Sequence, residues 1–277
     1  MKFKYLIIAF SAIIVVVILI TALLPLIVAG QESTVNFRYI TLPLVLFMVL
    51  LLVFMSIFFF LNYRLFSLLE REDWPALAYY LEKKIYEKRG HSARNVRLLA
   101  SSYIVISDYP SVLKLESKMS LARPSLVNKN ILIFGAARVL SGGHKEAAVF
   151  FKSRLGKCAA KDKQWVRWFY GFSQLLAGDF SMAEPEFTSL AAVSSDAMIT
   201  GLSAYFLQNS LIKHSSKPEE CRAASENGRN RVVSALKNAE GWKKEADKMG
   251  TEIHIAIIRK YIDEAAKWLF EEKPIKS

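Results

Sequence analysis

Two long uncharged apolar segments open the pattern of hydrophobic and polar positions along this chain. Residues 5–30 and 40–61 contain no Asp, Glu, Lys or Arg. About 20 helical residues cross a hydrocarbon core roughly 30 Å thick, so each segment is long enough to span a membrane. The pattern therefore predicts two transmembrane helices, over about residues 5–29 and 40–61, joined by a short external loop.

The first segment has an alternative interpretation as a cleaved signal peptide. Lys2 and Lys4 would form its basic n-region, and Val28 and Gly30 could flank a cleavage site. A usual signal peptide has an apolar core of about 7–15 residues, and this run is longer, which favours a membrane span. The second segment spans the membrane under either interpretation.

Basic residues beside the two segments predict their orientation. Lys2 and Lys4 precede the first segment, and Arg38 lies alone between the two. Six basic residues follow the second segment, namely Arg64, Arg71, Lys83, Lys84, Lys88 and Arg89. Because cytoplasmic flanks are enriched in Lys and Arg, both chain ends are expected in the cytoplasm. The layout is typical of a protein of the bacterial inner membrane.

From Asp73 onward the pattern becomes helical almost throughout. Clusters of Gly, Pro, Asp, Asn and Ser interrupt it about every 15 residues, and strand-like alternation is absent over any useful length. Helices of three or four turns between such breaks are typical of antiparallel helix pairs. The expected fold class is all-α, with a two-helix transmembrane hairpin followed by an α-solenoid.

A repeat of about 35 residues relates successive helices. One column, with spacings of 35, 35 and 36 residues, contains Leu77, Val112, Ala147 and Ala183. The column four residues later contains Leu81, Glu116, Phe151 and Phe187. The column twelve residues before the first contains Leu65, Ala100, Gly135 and Gly171. Small residues in the earlier helix would let the two helices of a hairpin approach closely, and a bulky side chain from the later helix would fill the gap.

These columns resemble tetratricopeptide repeats, whose period is about 34 residues and whose pattern places Gly or Ala in the first helix and Ala then Phe in the second. The segments ILIFGAARVLSGGHKEAAVFF and WFYGFSQLLAGDFSMAEPEF carry this pattern best. Two spans followed directly by such repeats also resemble the layout of HemY-like membrane proteins. An unrelated helical bundle with similar spacing is the alternative.

The patterns divide the chain into three parts: a two-span anchor over residues 1–63, a tetratricopeptide-like α-solenoid over 64–213, and a polar helix with a C-terminal capping helix over 214–277. No Gly/Ser-rich or Pro-rich linker interrupts residues 61–75, so the second span is expected to continue into the first hairpin. The capping helix is expected to cover the end of the stack with Ile253, Ile257, Tyr261, Ala265, Trp268 and Leu269.

The resemblance implies a partner-binding groove along the first helices of the hairpins, where such stacks curve. Its expected residues are Arg94, Arg97 and Ser101, then Lys129, Leu132 and Ala136, then Trp165, Trp168 and Phe172. Because Arg pairs with carboxylates and Trp is a common interface anchor, the groove suits an acidic and apolar peptide or helix. Burial of the three aromatic residues between hairpins is the alternative.

The distribution of charge favours a lipid surface as a further partner and argues against nucleic acid. The net charge of +12 favours anionic lipid head groups, and the segment EKKIYEKR at residues 82–89 is interpreted as a juxtamembrane basic patch. Acidic residues are interleaved along the chain and no nucleic-acid motif occurs, so no nucleic-acid partner is expected.

Sequence motifs for catalysis are absent. The chain lacks GxxxxGK[ST], GxGxxG, HExxH and GxSxG, and its four histidines have no spacing suited to a metal. Cys158 and Cys221 form no CxxC and are expected to be reduced thiols. No cofactor or metal is expected, and an enzyme whose site forms only in the fold is a minor alternative.

The sequence thus predicts a membrane-anchored scaffold for protein–protein interaction. The main alternative is an integral subunit of an envelope-biogenesis or secretion complex whose membrane spans make the key contacts.

Overall fold

The computed structural model describes residue 8 and residues 12–20, 34–87, 90–250 and 252–270. Within these ranges all regular structure is helical and no strand occurs, which confirms the all-α class. The helices are α1 (12–20), α2 (Thr34–Glu70), α3 (Trp74–Tyr86), α4 (Ala93–Val105), α5 (Tyr109–Ala122), α6 (Pro124–Asn128), α7 (Ile131–Leu140), α8 (His144–Arg154), α9 (Lys163–Leu176), α10 (Phe180–Val193), α11 (Ala197–Phe206), α12 (Pro218–Leu236), α13 (Ala239–Lys248), α14 (Ile253–Ala256) and α15 (Arg259–Phe270).

The chain forms two compact units, residues 1–80 and 81–277. In the first unit, the segment Leu46–Glu70 of α2 has a mean hydropathy of 2.5. It is the one helix in the described ranges that is long and apolar enough to cross a membrane, and it overlaps the predicted second span. Most of the predicted first span lies outside the described residues, so a two-span anchor and its orientation stay predictions.

Helix α2 continues past the apolar segment without a break. Its 37 residues include the stretch 62–70, which the sequence assigned to the first hairpin. Near the end of α2, Leu65 is buried and the Arg64 guanidinium lies 5.4 Å from the centre of the Tyr80 ring.

In the second unit, consecutive helices pack side by side from α4 to α12. The first helices of successive pairs also touch one another, α4 with α7, α7 with α9 and α9 with α11. Several helices begin at a polar N-cap whose side chain accepts a backbone N–H bond, namely Ser92, Asp108, Asp179, Asp196 and Asn238. Gly142 and Gly178 take left-handed φ angles of 81° and 80°, which lets the chain reverse in tight turns.

Small and bulky residues interlock within the best-matched pairs. A Cβ atom on Gly135 of α7 would lie 2.0 Å from Cζ of Phe151 on α8, so only glycine leaves room for this ring. A Cβ atom on Gly171 of α9 would lie 3.5 Å from the ring of Phe187 on α10. The residues predicted to pack the repeats are all buried, namely Ala100, Gly135, Ala147, Phe151, Gly171, Ala183 and Phe187.

Glu116 occupies the column that holds Phe151 and Phe187 in the later pairs, and it is also buried. Arg138 of α7 donates a hydrogen bond to the Glu116 carboxylate, and Nη2 of Arg154 on α8 lies 3.6 Å from its Oε1. Two guanidinium groups therefore compensate the carboxylate where the later pairs use an aromatic ring. Opposite charges in contact offset the cost of burial that an isolated charge would carry.

A π-helical turn, Leu207–Leu211, follows α11, and two side chains of α12 donate to backbone carbonyls of this region. The Ser225 hydroxyl donates to the Ala204 carbonyl oxygen at 2.8 Å, and the Cys221 thiol donates to that of Leu207 at 3.7 Å. Cys158 and Cys221 are both free. Burial raises the pKa of Cys221 to about 11, so this thiol is protonated at neutral pH.

The C-terminal part of the chain differs from the single capping helix that the pattern predicted. A turn at residues 257–258 separates α14 from α15 and shifts the phase of the buried face. As a result Ile255, Ile258 and Ile262 are buried, whereas Ile257 and Tyr261 are only half-buried. Helix α14 packs on α7, and α15 packs on α11, α12 and α13, so this segment lies across the first helices of several pairs.

Candidate protein-binding site

The aromatic residues predicted to line the groove lie in the interior of the second unit. Trp168 is fully buried and stacks on Phe172, with ring centroids 5.0 Å apart. Phe187 and Phe206 each approach the Trp168 ring to 5.9 Å. Neither Trp168 nor Phe172 is accessible to a partner in this conformation.

The C-terminal segment covers this aromatic cluster. The ring of His254 on α14 packs against Trp165 at 5.7 Å between centroids. The ring of Tyr261 on α15 packs against Phe172 at 5.5 Å and against Phe206 at 5.1 Å. The chain itself therefore occupies the aromatic part of the surface that the sequence assigned to a partner.

A pocket of about 200 Å³ lies beside the covering segment. Five of the residues predicted for the groove meet there, namely Arg97, Ser101, Lys129, Leu132 and Trp165. Four ionisable residues that the sequence did not single out for the groove also line the pocket, namely Lys161, Asp162, Glu252 and His254. Trp165 is 7% exposed, so its ring contributes little of the surface that a ligand could contact.

Arg97 is held in place by the residues that precede α7. Its Nε donates to Oδ1 of Asn130 at 3.2 Å, and its Nη2 donates to the carbonyl oxygen of Lys129 at 3.4 Å. Asn130 is buried and donates in turn to the Leu126 carbonyl oxygen at 2.8 Å. These bonds fix the guanidinium at the pocket wall, with about half of the Arg97 side chain exposed.

A carboxylate of the chain already lies against this guanidinium. Nη1 of Arg97 and Oε1 of Glu252 are 3.8 Å apart, and both side chains are about half exposed. Burial and, to a smaller extent, the positive charge of Arg97 together lower the pKa of His254 to about 4, so His254 is neutral at pH 7. The pocket then holds three cations against the carboxylates of Asp162 and Glu252, a small positive excess.

The pocket draws half of its residues from a strongly basic region of the chain. Residues 88–145 contain ten Lys and Arg against two acidic residues. Arg94 and Lys129 are exposed, and Arg94 lies outside the pocket lining. Leu132 lines the pocket, whereas Ala136 is buried in α7. The exposed part of the predicted groove is thus basic, and the covered part is aromatic.

Sequence reasoning missed Asn130, Lys161, Glu252 and His254 for two different reasons. Glu252 and His254 reach the pocket only because the C-terminal segment folds back on α7 and α9, which no repeat pattern indicates. Lys161 lies in the short connection before α9, which the sequence marked only as a break, and Asn130 lies directly before α7, where the sequence marked nothing. In the described ranges no group of three or more His, Cys, Asp and Glu residues could hold a metal ion.

These observations define an all-α protein with a membrane-length helix in one unit and a basic pocket in the other. A family model described as "Uncharacterised Treponema protein" matches residues 111–271, and the chain belongs to this family. An uncharacterized protein of Treponema pallidum (strain Nichols) is 27% identical over 241 residues, covering 82% of this chain and 75% of the relative. No solved structure matches the chain significantly. The family match includes α14 and α15, so the covering segment is part of the shared region.

Proposed function

We propose that this protein is a membrane-anchored scaffold that binds an acidic segment of another protein at the pocket formed by α4, α7, α9 and α14. Its helix pairs resemble tetratricopeptide repeats, and we place the second unit at the cytoplasmic face of a bacterial inner membrane. The proposed activity is binding rather than catalysis. The proposed partner is of the acidic class that the sequence predicted. It would contact only the basic part of the predicted groove.

The contact between Arg97 and Glu252 is the observation that carries this proposal. It shows that the guanidinium, fixed by Asn130, forms an ion pair with a carboxylate at the pocket wall. Charge-assisted hydrogen bonds to a carboxylate are stronger than neutral ones, and Arg presents two parallel donors. Lys129 and Lys161 add cations around the same space. A partner carboxylate could therefore replace Glu252 or bind beside it.

The test is site-specific photocrosslinking of the full-length protein in its native membrane. A photoreactive amino acid at exposed Arg94 would report on a partner at the pocket, and one at exposed Lys213, after the π-helical turn, serves as the matched control. We expect a discrete protein adduct from position 94 that is missing from position 213. The double substitution Arg97→Glu and Lys129→Glu should weaken that adduct at least about tenfold, since each removes a favourable charge contact and adds a repulsive one.

A charge reversal at a distant exposed lysine, Lys243→Glu, should leave the adduct unchanged. The proposal is wrong if the adduct persists after the pocket reversal while the protein remains folded, or if positions 94 and 213 yield the same adducts. Far-ultraviolet circular dichroism of each purified variant establishes that the helices are retained.

A further inference from the structure

Among the large apolar side chains of the described residues, the most exposed belongs to α5 of the second unit and not to the membrane-length helix α2. Leu121 is 86% exposed, compared with 82% for Phe60 in α2. Lys114 and Lys118 precede it by seven and three residues and are also exposed. Residues at this spacing share one face of a helix. Helix α5 therefore presents a stripe of two lysines and one leucine to solvent.

Helix α8 presents a stripe of the same composition. Lys145, Val149 and Lys152 are exposed at the same four- and three-residue spacing, and Val149 is 69% exposed. Counted from the buried column residues Val112 and Ala147, both stripes occupy the same face of the second helix in each pair. Each of the two helices thus exposes one apolar side chain together with two lysines.

The two helices are joined through Glu116, whose carboxylate lies 3.6 Å from Arg154 of α8. Because Glu116 is buried and paired, it does not offset the lysines at the surface. Glu146 is the one exposed acidic side chain on α5 and α8. Asp179 borders the same surface, where it lines a depression with Lys145 and Lys152. This surface therefore carries four exposed lysines and two exposed carboxylates, so its net charge is positive.

We propose that this outer face, defined by Lys114, Lys118, Leu121, Lys145, Val149 and Lys152, docks on the head groups of an anionic lipid bilayer. Charge complementarity selects this occupant, because each lysine near an anionic surface strengthens binding by about fivefold. Leu121 and Val149 project as isolated apolar side chains, which suits shallow insertion between lipids. The proposal concerns the second unit alone and does not depend on the pocket.

The equivalent face of α10 supplies a matched control. Counted from Ala183, the position that corresponds to Leu121 is Ala192, which is exposed and carries no charge. The corresponding positions along α10, from Ser181 to Ser189, contain no lysine or arginine. An environment-sensitive fluorophore at 121 or 192 therefore compares the two chemistries in the same protein.

The experiment uses the full-length protein with Leu121→Cys or Ala192→Cys, in a Cys158→Ser background, labelled with a nitrobenzoxadiazole dye. Cys221 is 1% exposed and should not react. The labelled proteins are reconstituted in nanodiscs of phosphatidylcholine alone or with about one quarter phosphatidylglycerol, which supplies the negative surface charge. We expect a blue-shifted emission and at least about twofold greater quenching by lipid-attached nitroxide at position 121, only with phosphatidylglycerol.

Lys114→Gln with Lys118→Gln should reduce this lipid-dependent signal, whereas neutralising Lys213 and Lys243 should not. Equal signals at positions 121 and 192, or no dependence on phosphatidylglycerol, would overturn the proposal. Shielding of position 121 in native membranes but not in anionic nanodiscs would also overturn it, because that result assigns the face to an acidic protein.

Discussion

The Phe151 ring lies in the space that a side chain at residue 135 would need. Its Cζ would be 2.0 Å from a Cβ atom on Gly135, and Phe151 is fully buried. The ring therefore occupies the space beside the backbone of α7 that the absence of a side chain leaves open. The repeat pattern singled out a small residue at position 135, and the structure gives the reason: α7 and α8 approach closely there.

Gly135→Ala should destabilise the second unit by about 1–3 kcal/mol, because the added methyl group overlaps the Phe151 ring and forces it out of place. The measurement is chemical unfolding of the full-length protein in detergent, followed by tryptophan fluorescence. Gly156→Ala is the matched control, since nothing lies within 4 Å of a Cβ atom there. Equal stability of the two variants would contradict this account, and Phe151→Leu should partly restore the Gly135→Ala variant.

Glu116→Ala should destabilise the same unit by about 3–5 kcal/mol, because it leaves Arg138 and Arg154 without their buried counter-charge. Glu219→Ala is the control. The Glu219 side chain is 83% exposed and pairs with Arg222, so its removal should change the free energy of unfolding by no more than about 0.5 kcal/mol. The same unfolding measurement compares the two. A small effect at Glu116 would show that the cluster contributes little to the fold.

Protonation of His254 should weaken the fold as pH falls. Its pKa is about 4 in the folded protein against 6.5 when unperturbed, so between these values the unfolded chain binds more protons. The stabilising contribution is present above pH 6.5 and is lost on descent to pH 4, by up to about 3 kcal/mol. His254→Phe keeps a ring against Trp165 and should remove this part of the pH dependence. Unfolding curves that lose the same stability with pH in both proteins would exclude the effect.

Tyr261→Ala should uncover part of the aromatic cluster. It removes the ring that contacts Phe172 and Phe206, and we expect a loss of about 2–4 kcal/mol together with increased binding of an apolar dye. Lys260→Ala alters a neighbouring side chain that is 79% exposed and should change neither quantity appreciably. Dye binding that stays at the level of the unsubstituted protein would indicate that the cluster is covered without Tyr261.

The helical fold class was predictable because periodicity depends on local sequence. Breaks such as SDYP and AGDF mark caps and turns that the structure shows at Asp108 and Asp179, each of which accepts a backbone N–H bond. Packing of Phe151 near Gly135 was also visible, since both lie within one pair of helices. These features arise from neighbours in the chain.

The candidate site was only partly predictable because it depends on contacts between distant segments. Arg97 and Lys129 were found from repeat register, but the approach of Glu252 to Arg97 depends on how α14 crosses α7. The turn at residues 257–258 also shifts which apolar residues are buried, so Ile258 and Ile262 replace Ile257 and Tyr261 in the core. Helical periodicity alone carries no information about such a turn.

The covering segment also determines when this fold can be completed during synthesis. Repeated helix pairs that contact only their neighbours can fold in the order in which they leave the ribosome. Here His254 and Tyr261 pack over α9 and α11, so the aromatic surface around Trp165 and Phe172 lacks its cover until residues 253–270 have also emerged. A nascent chain therefore exposes this surface before release, and any truncated product retains it. The segment 253–270 thus determines when the second unit can fold as a whole and when its aromatic surface is hidden from chaperones and proteases.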